Sequence, residues 1–284
     1  MREWQRSAAK HLAACQSAVI NWAVHGGYAV QAVRPLGQLM TSTAFTRLFH
    51  QMLTAQRVTC AVAAAAAALL YLRHRRHKLP PPQTPQPELT ADEAKLWRLL
   101  EVIEKEILPK TEVEVAAGNK VFGAAILDDS CGTVVADTNH ETICPLYHGE
   151  IYTIEQWSLL ADKPAASSCI FLATHEPCCL CISAIVWSGF KKCFYLYPYE
   201  TTRDQGIPHD LNIMFELWRV PRYQQRNKFC STAGILDLIE ALPDSTQRRE
   251  LQATVARITA RYDALATKYH SEKAANPKNT MAFN

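Results

Sequence analysis

Two short stretches, His148-Gly149-Glu150 and Pro177-Cys178-Cys179-Leu180-Cys181, constrain the fold of this chain more than any other feature. Cys178 and Cys181 have the two-residue gap that lets two thiolates at a helix start reach one ion, and His148 adds a nitrogen. Three such donors suit a tetrahedral Zn²⁺ with one corner left for water, the arrangement of a catalytic rather than a structural zinc site. Glu150 is spare and lies two residues beyond the histidine, close enough to take a proton from that water. For these groups to act together, stretches 30 residues apart must close on one point.

Each half taken alone has blander readings. A lone H-x-E means almost nothing, and a lone C-x-x-C is equally a redox pair or half of a structural zinc ribbon. A ribbon needs a second Cys or His pair, whereas Cys15, Cys60, Cys131, Cys144, Cys169, Cys193 and Cys230 are scattered singly. A redox pair leaves His148 and Glu150 without roles. Cys179 reads as a small core residue of its helix. Ten cysteines without a paired framework point to a reducing compartment.

The net charge of +3 hides an asymmetry: residues 1–87 carry ten Lys/Arg against the single acid Glu3, so the remainder is net acidic. An acidic remainder argues against a large nucleic-acid surface there. Residues 1–78, rich in Ala, Arg, Ser and Thr, have the composition of an organelle-targeting presequence. Within them, residues 58–72 are an uncharged run of fifteen, followed at once by Arg73-His74-Arg75-Arg76-His77-Lys78. As a helix such a run reaches about 22 Å, short of the roughly 30 Å hydrocarbon core unless it extends back past Arg57. Two readings stand side by side: a membrane anchor with a basic cytosolic flank, or a presequence that is cleaved. Both place the protein at a mitochondrion or a membrane; without them it is cytoplasmic. Five prolines in residues 80–87 then make an extended linker. The division expected is 1–78 targeting or anchor segment, 79–89 linker, 90–240 catalytic domain and 241–284 helical extension.

After the linker, Thr90 with Glu93 three residues on reads as a capping box, followed by Leu96, Leu99, Leu100 and Ile103 at helical spacing. Residues 121–127 read as a buried strand, residues 128–132 as a turn and residues 133–136 as its hairpin partner. His148 opens a helix, residues 169–173 form a central strand, Pro177 opens the next helix and residues 192–197 form another strand. The order α-β-β-α-β-α-β puts both ligand stretches at helix N-termini, whose partial positive charge favours thiolate and hydroxide. A helix over 211–218 follows. A loop with Arg219, Arg222, Tyr223, Arg226, Lys228 and Phe229 is either an RNA contact or a solvated loop. Residues 246 to about 270 form a charged helix with Leu251, Val255, Ile258 and Leu265 near one face.

The order H-x-E…P-C-x-x-C resembles that of the zinc deaminases. Residues 118–216 are similar to the cytidine deaminase superfamily, in the branch of guanine deaminases, bacterial-type tRNA adenosine deaminases and yeast-type cytosine deaminase. Phe122-Gly123-Ala124 resembles the P-F-G-A strand of guanine deaminases, Thr174 to Cys178 their x-x-E-P-C entry, and Ile185-Val186-Trp187 their A-I-x-W helix. The resemblance implies an α/β fold: a three-layer α-β-α domain around a mixed sheet, usually dimeric, with homo- and heterodimer both open. It implies Zn²⁺ on His148, Cys178 and Cys181, Glu150 as the catalytic acid/base, and Asn139, Phe122 and Asp210 at the substrate. Asp204 is a weaker match than Asp210, and Gly149 stands where these relatives carry Ala, which should loosen the helix start.

The function implied is a zinc-dependent aminohydrolase of the C–N bonds of cyclic amidines, working through zinc-bound hydroxide and a Glu150 proton shuttle. Its substrate would be a small nucleobase or nucleoside, purine-leaning. The alternatives are a tRNA-editing deaminase, with the 219–229 loop touching tRNA, and a non-catalytic deaminase-like partner subunit. Membrane attachment through residues 58–72 would add a scaffold role.

Overall fold

Leu96, Leu99 and Leu100 are buried along one face of helix α1 (Glu93–Val102) in the computed structural model, as their spacing requires. The start of α1 corrects the expected capping box. Asp92, not Thr90, is the N-cap, and its carboxylate accepts from the Lys95 N–H at 2.8 Å, a charged acceptor facing the positive helix end. The rod continues through one π turn (Ile103–Ile107) into α2 (Leu108–Ala117). Pro109 accounts for the turn. It has no N–H to give the Lys105 carbonyl, so the ladder widens just before it and the Leu108 N–H reaches back to the Ile103 carbonyl. Gly118, at φ 103°, ends α2 in the left-handed region.

The structure describes residues 65–71, 84–277 and 279. The chain divides into two units between Pro81 and Pro82, and α1 and every element after it belong to the second. In the first unit, residues 65–71 form a short helix with exposed side chains. The rest of the 58–72 run, the targeting segment before it and the basic cluster after it lie outside the described residues. Among the described residues, no helix is long and apolar enough to cross a membrane.

Five strands make one mixed sheet: β1 (Gly123–Leu127), β2 (Thr133–Thr138), β3 (Ile170–His175), β4 (Lys192–Tyr197) and β5 (Ser231–Gly234), in the order β2-β1-β3-β4-β5. β1 runs antiparallel to β2 and β3, while β3, β4 and β5 run parallel. Asp128 closes the β1–β2 turn by accepting from the Ser130 and Gly132 N–H groups at 2.9 and 2.8 Å. β5 is not foreseen in the sequence: Ser231-Thr232-Ala233-Gly234 has no apolar run, and its pairing with β4 is what makes it a strand.

The remaining helices are α3 (Gly149–Leu159), α4 (Cys179–Trp187), α5 (Tyr199–Asp204), α6 (His209–Trp218), α7 (Ile235–Glu240) and α8 (Thr246–Glu272). Alternation along the strands sorts them into layers. Ala125, Leu127, Ile170, Leu172, Phe194 and Leu196 join one core with residues of α1, α2, α7 and α8. Ala124, Ile126, Phe171 and Cys193 join a second core with Trp157 of α3 and Ile185 of α4. Helices therefore cover both faces. The C-terminal helix α8 enters the first core through Leu251, Ile258, Tyr262, Leu265 and Tyr269, and Arg257 and Arg261 pair with Glu104 and Glu112 of the α1–α2 rod.

His175, at the end of β3, is buried among Phe122, Tyr197 and Tyr262, with ring centroids 4.8, 4.9 and 5.6 Å away. Its ring nitrogens face Thr174 Oγ1 at 3.0 Å and Gln205 Oε1 at 3.2 Å. Burial pushes the imidazole down to about 3, so the folded protein keeps it neutral. The unfolded chain binds that proton below about pH 6.5, so stability is complete above this value and is lost as pH falls toward 3. His175 is expected to cost about 2 kcal/mol of stability between pH 6.5 and 5. Urea unfolding at the two pH values, in parent and His175→Gln, checks this: the variant should lose that increment of pH dependence.

Gly149, the first residue of α3, corrects the expectation of a loose helix start. A Cβ there would lie 2.7 Å from Gly123 Cα and 2.9 Å from the Phe122 carbonyl oxygen, both backbone atoms. The helix start is docked against β1, and only glycine permits the approach. Alanine's helix preference is worth up to about 1 kcal/mol, whereas overpacking costs about 1–3 kcal/mol, so the clash decides the sign. Gly149→Ala is expected to lower the unfolding free energy by about 1–2 kcal/mol in urea denaturation; a more stable variant would show that the helix can retreat from the strand.

Candidate active site

Both ligand stretches sit at helix starts, as their motifs require. His148 is the N-cap of α3 and Cys178 the N-cap of α4, each in extended backbone conformation. α4 begins at Cys179, two residues later than a helix opened by Pro177. It is the crossover between the parallel strands β3 and β4, which puts its N-terminus beyond the carboxyl end of β3. α3 arrives at the same place because Gly149 rests on Gly123. Two positive helix ends thus converge, and thiolate or carboxylate charge is stabilised between them.

His148 Nδ1 lies 3.6 Å from Cys178 Sγ and 3.5 Å from Cys181 Sγ, and the sulfurs are 3.5 Å apart. Tetrahedral bonds of the usual lengths would set the sulfurs about 3.8 Å apart and each about 3.5 Å from the nitrogen. The donor set and its spacing therefore fit Zn²⁺, and His148, Cys178 and Cys181 could hold it. The Cys178 thiol is held well below its ordinary range by hydrogen bonding from Cys181 and by the His148 ring, against burial. Burial and the neighbouring Cys178 charge push Cys181 well above it. Burial opposes protonation of His148, but Cys178, Glu141 and Glu150 outweigh it and raise the ring to about 9.

Glu150, in the first turn of α3, is buried, and burial together with the Cys178 charge pushes its carboxyl up to about 7. It shares a small cavity with Phe122, His148, His175, Glu176, Cys178 and Asp210. A wider cavity of about 290 Å³ adjoins it, walled by Phe122, Leu146, Leu180, Ile207 and Ile213 with Lys120, Glu141 and Asp210 as polar groups. Asp210, in the first turn of α6, is pushed up to about 8 by burial and by the Cys178 charge. Phe122 and Asp210 thus line both cavities. Asp204 is exposed and paired with Arg203.

Asn139 is placed differently. It is buried and does not line either cavity; its Oδ1 accepts from the Gly149 N–H and its Nδ2 donates to Glu141 Oε2 at 2.7 Å. Its amide ties the end of β2 to the start of α3.

Several residues of the site carry no sequence signal. Glu141 lies in a turn-rich stretch as an isolated acid, yet it is buried with Lys120 at 3.0 Å and with His148 Nε2 at 3.7 Å. Arg222 belongs to the basic-aromatic loop, which is neither a free cationic stripe nor simply solvated. Its guanidinium donates to the buried Glu176 at 2.8 Å and to Glu200 at 3.1 Å, while Arg219 pairs with Glu216 and Arg226 donates to the Gln86 carbonyl.

Residues 101–197 match the family model described as the cytidine and deoxycytidylate deaminase zinc-binding region. The guanine deaminase of Bacillus subtilis (strain 168) is 27% identical over 89 residues, 30% of this chain and 56% of that protein. A tRNA-specific adenosine deaminase of Rickettsia bellii (strain RML369-C) is 28% identical over 94 residues, 32% of this chain and 65% of that protein. The chain thus spans under two thirds of the length of each. Among solved structures, the guanine deaminase of Nitrosomonas europaea is 21% identical with a TM-score of 0.36, over 64% of this chain and 94% of that one. That of Bacillus subtilis is 26% identical with a TM-score of 0.36, over 44% and 83%. The family match covers His148, Glu150, Cys178 and Cys181, and residues 101–197 are a zinc-binding region of the cytidine and deoxycytidylate deaminase type.

Proposed function

We propose that this chain is a hydrolytic deaminase of a nucleobase or nucleoside, purine-leaning, with Glu150 as its proton shuttle. The observation that carries the reading is the convergence of His148, Cys178 and Cys181 with the buried carboxyl of Glu150, beside a cavity of about 290 Å³ with mostly apolar walls. His148, Cys178 and Cys181 would hold Zn²⁺, which would supply a water nucleophile at neutral pH.

Glu150 would take a proton from the attacking water and deliver it to the ring nitrogen beside the amino-bearing carbon, making the carbon electrophilic. It then carries the water's second proton to the amine, so that amine and water become ammonia and a ring carbonyl. A carboxyl near 7 gives up and regains protons with little penalty at neutral pH. Phe122 offers a ring face against which a flat heterocycle can lie. Asp210, at the cavity wall, offers a carboxyl to hydrogen-bond the base edge.

The test is ammonia release by zinc-loaded protein from a panel of amino-bearing bases, nucleosides, nucleotides and tRNA. Release from a purine base or nucleoside is expected. Glu150→Gln should lose at least about a hundredfold in kcat while keeping its zinc. Release from tRNA alone would move the reading to an editing enzyme, and full activity in Glu150→Gln would overturn the proton shuttle.

A further inference from the structure

We propose that Glu141 is the positioning residue of the metal site: its carboxylate, clamped by Lys120 and Asn139, fixes the ring of His148 with Nδ1 toward the two sulfurs. The proposal rests on the reading of His148, Cys178 and Cys181 as zinc ligands. Three observations support it. Glu141 lies 2% exposed at its side chain, with Oε1 3.0 Å from Lys120 Nζ and 3.7 Å from His148 Nε2. Its other oxygen accepts from Asn139 Nδ2 at 2.7 Å. The same asparagine accepts, through Oδ1, from the N–H of Gly149, the residue next to His148.

Both oxygens are therefore engaged, and the carboxylate cannot turn away. A histidine that binds metal through Nδ1 carries its proton on Nε2, and a carboxylate beside Nε2 favours that tautomer and makes the ring a better donor. At 3.7 Å the contact is a charge facing a ring N–H rather than a hydrogen bond. It aligns the ring because the carboxylate is held from two other sides. Asn139 completes the device by tying Glu141 to the first turn of α3, so that ligand, acid and positioning carboxylate move as one body.

The competing view is that Glu141 serves only as counter-ion to a buried lysine, since breaking one partner of such a pair is costly whatever its surroundings. Two variants separate the views: Glu141→Gln, and the double variant Lys120→Met/Glu141→Gln, which removes the pair together. Zinc affinity is read by competition with a chromophoric chelator, and folding by thermal unfolding of the same samples. Loss of the positioning carboxylate is expected to weaken zinc binding about 10- to 100-fold in both variants, although the double variant regains thermal stability. Parental zinc affinity in Glu141→Gln, or its return in the double variant, would overturn the proposal. Absence of zinc binding in the parent would instead overturn the reading of the ligands themselves, an outcome visible before any variant is made.

Discussion

The docking of Gly149 on Gly123 is the contact on which the site depends. A Cβ on Gly149 would fall inside the van der Waals distance of backbone atoms that β1 cannot move without breaking its pairing with β2 and β3. With no side chain there, the first turn of α3 lies against the strand. His148 and Glu150 then meet the cysteines that α4 carries at the carboxyl end of β3. The position of α4 is settled separately, because a parallel β3–β4 pair needs a crossover of this kind. Two independent geometric demands thus meet at one place, and the metal-binding spacing results from their agreement.

Electrostatics reinforces the arrangement. Acidic groups crowd the site: two thiols, Glu150, Glu176 and Glu141, all buried, and the half-buried Asp210. Cations enter from the flanks, Lys120 against Glu141 and Arg222 against Glu176. Each is a partner for a peripheral acid, and neither pairs with Glu150, whose carboxyl is raised by burial and by the Cys178 charge. A carboxylate locked to an arginine would be a poor proton shuttle, since its affinity for the proton would fall below the working range.

The sequence revealed most where chemistry forces residue identity. The H-x-E and C-x-x-C stretches, the helix of Leu96 to Leu100, the β1–β2 turn at Asp128 and the strand at residues 192–197 all follow from local rules. What stayed hidden depends on partners distant in the chain. β5 is a strand through pairing rather than composition, and Asp92 won the cap over Thr90 because of its charge. Arg222 pairs with Glu176, 46 residues away, a partner that the local basic-aromatic pattern does not reveal. Asn139 has no local signal for its bonds to Glu141 and the Gly149 N–H, which depend on how β2 and α3 meet. Gly149 looked like a loosening for want of any view of Gly123.

The long helix α8 shows how far the support extends. Tyr262 meets His175 edge-on, as His175 in turn meets Phe122, and Phe122 lines both cavities. Gln205 links the same ring to Asp263 and, through its carbonyl, to His270. A wall built this way favours a neutral His175, since burial among three aromatic rings opposes charging the imidazole. Burial holds that ring at about 3, so the back of the cavity keeps its charge state across the neutral range.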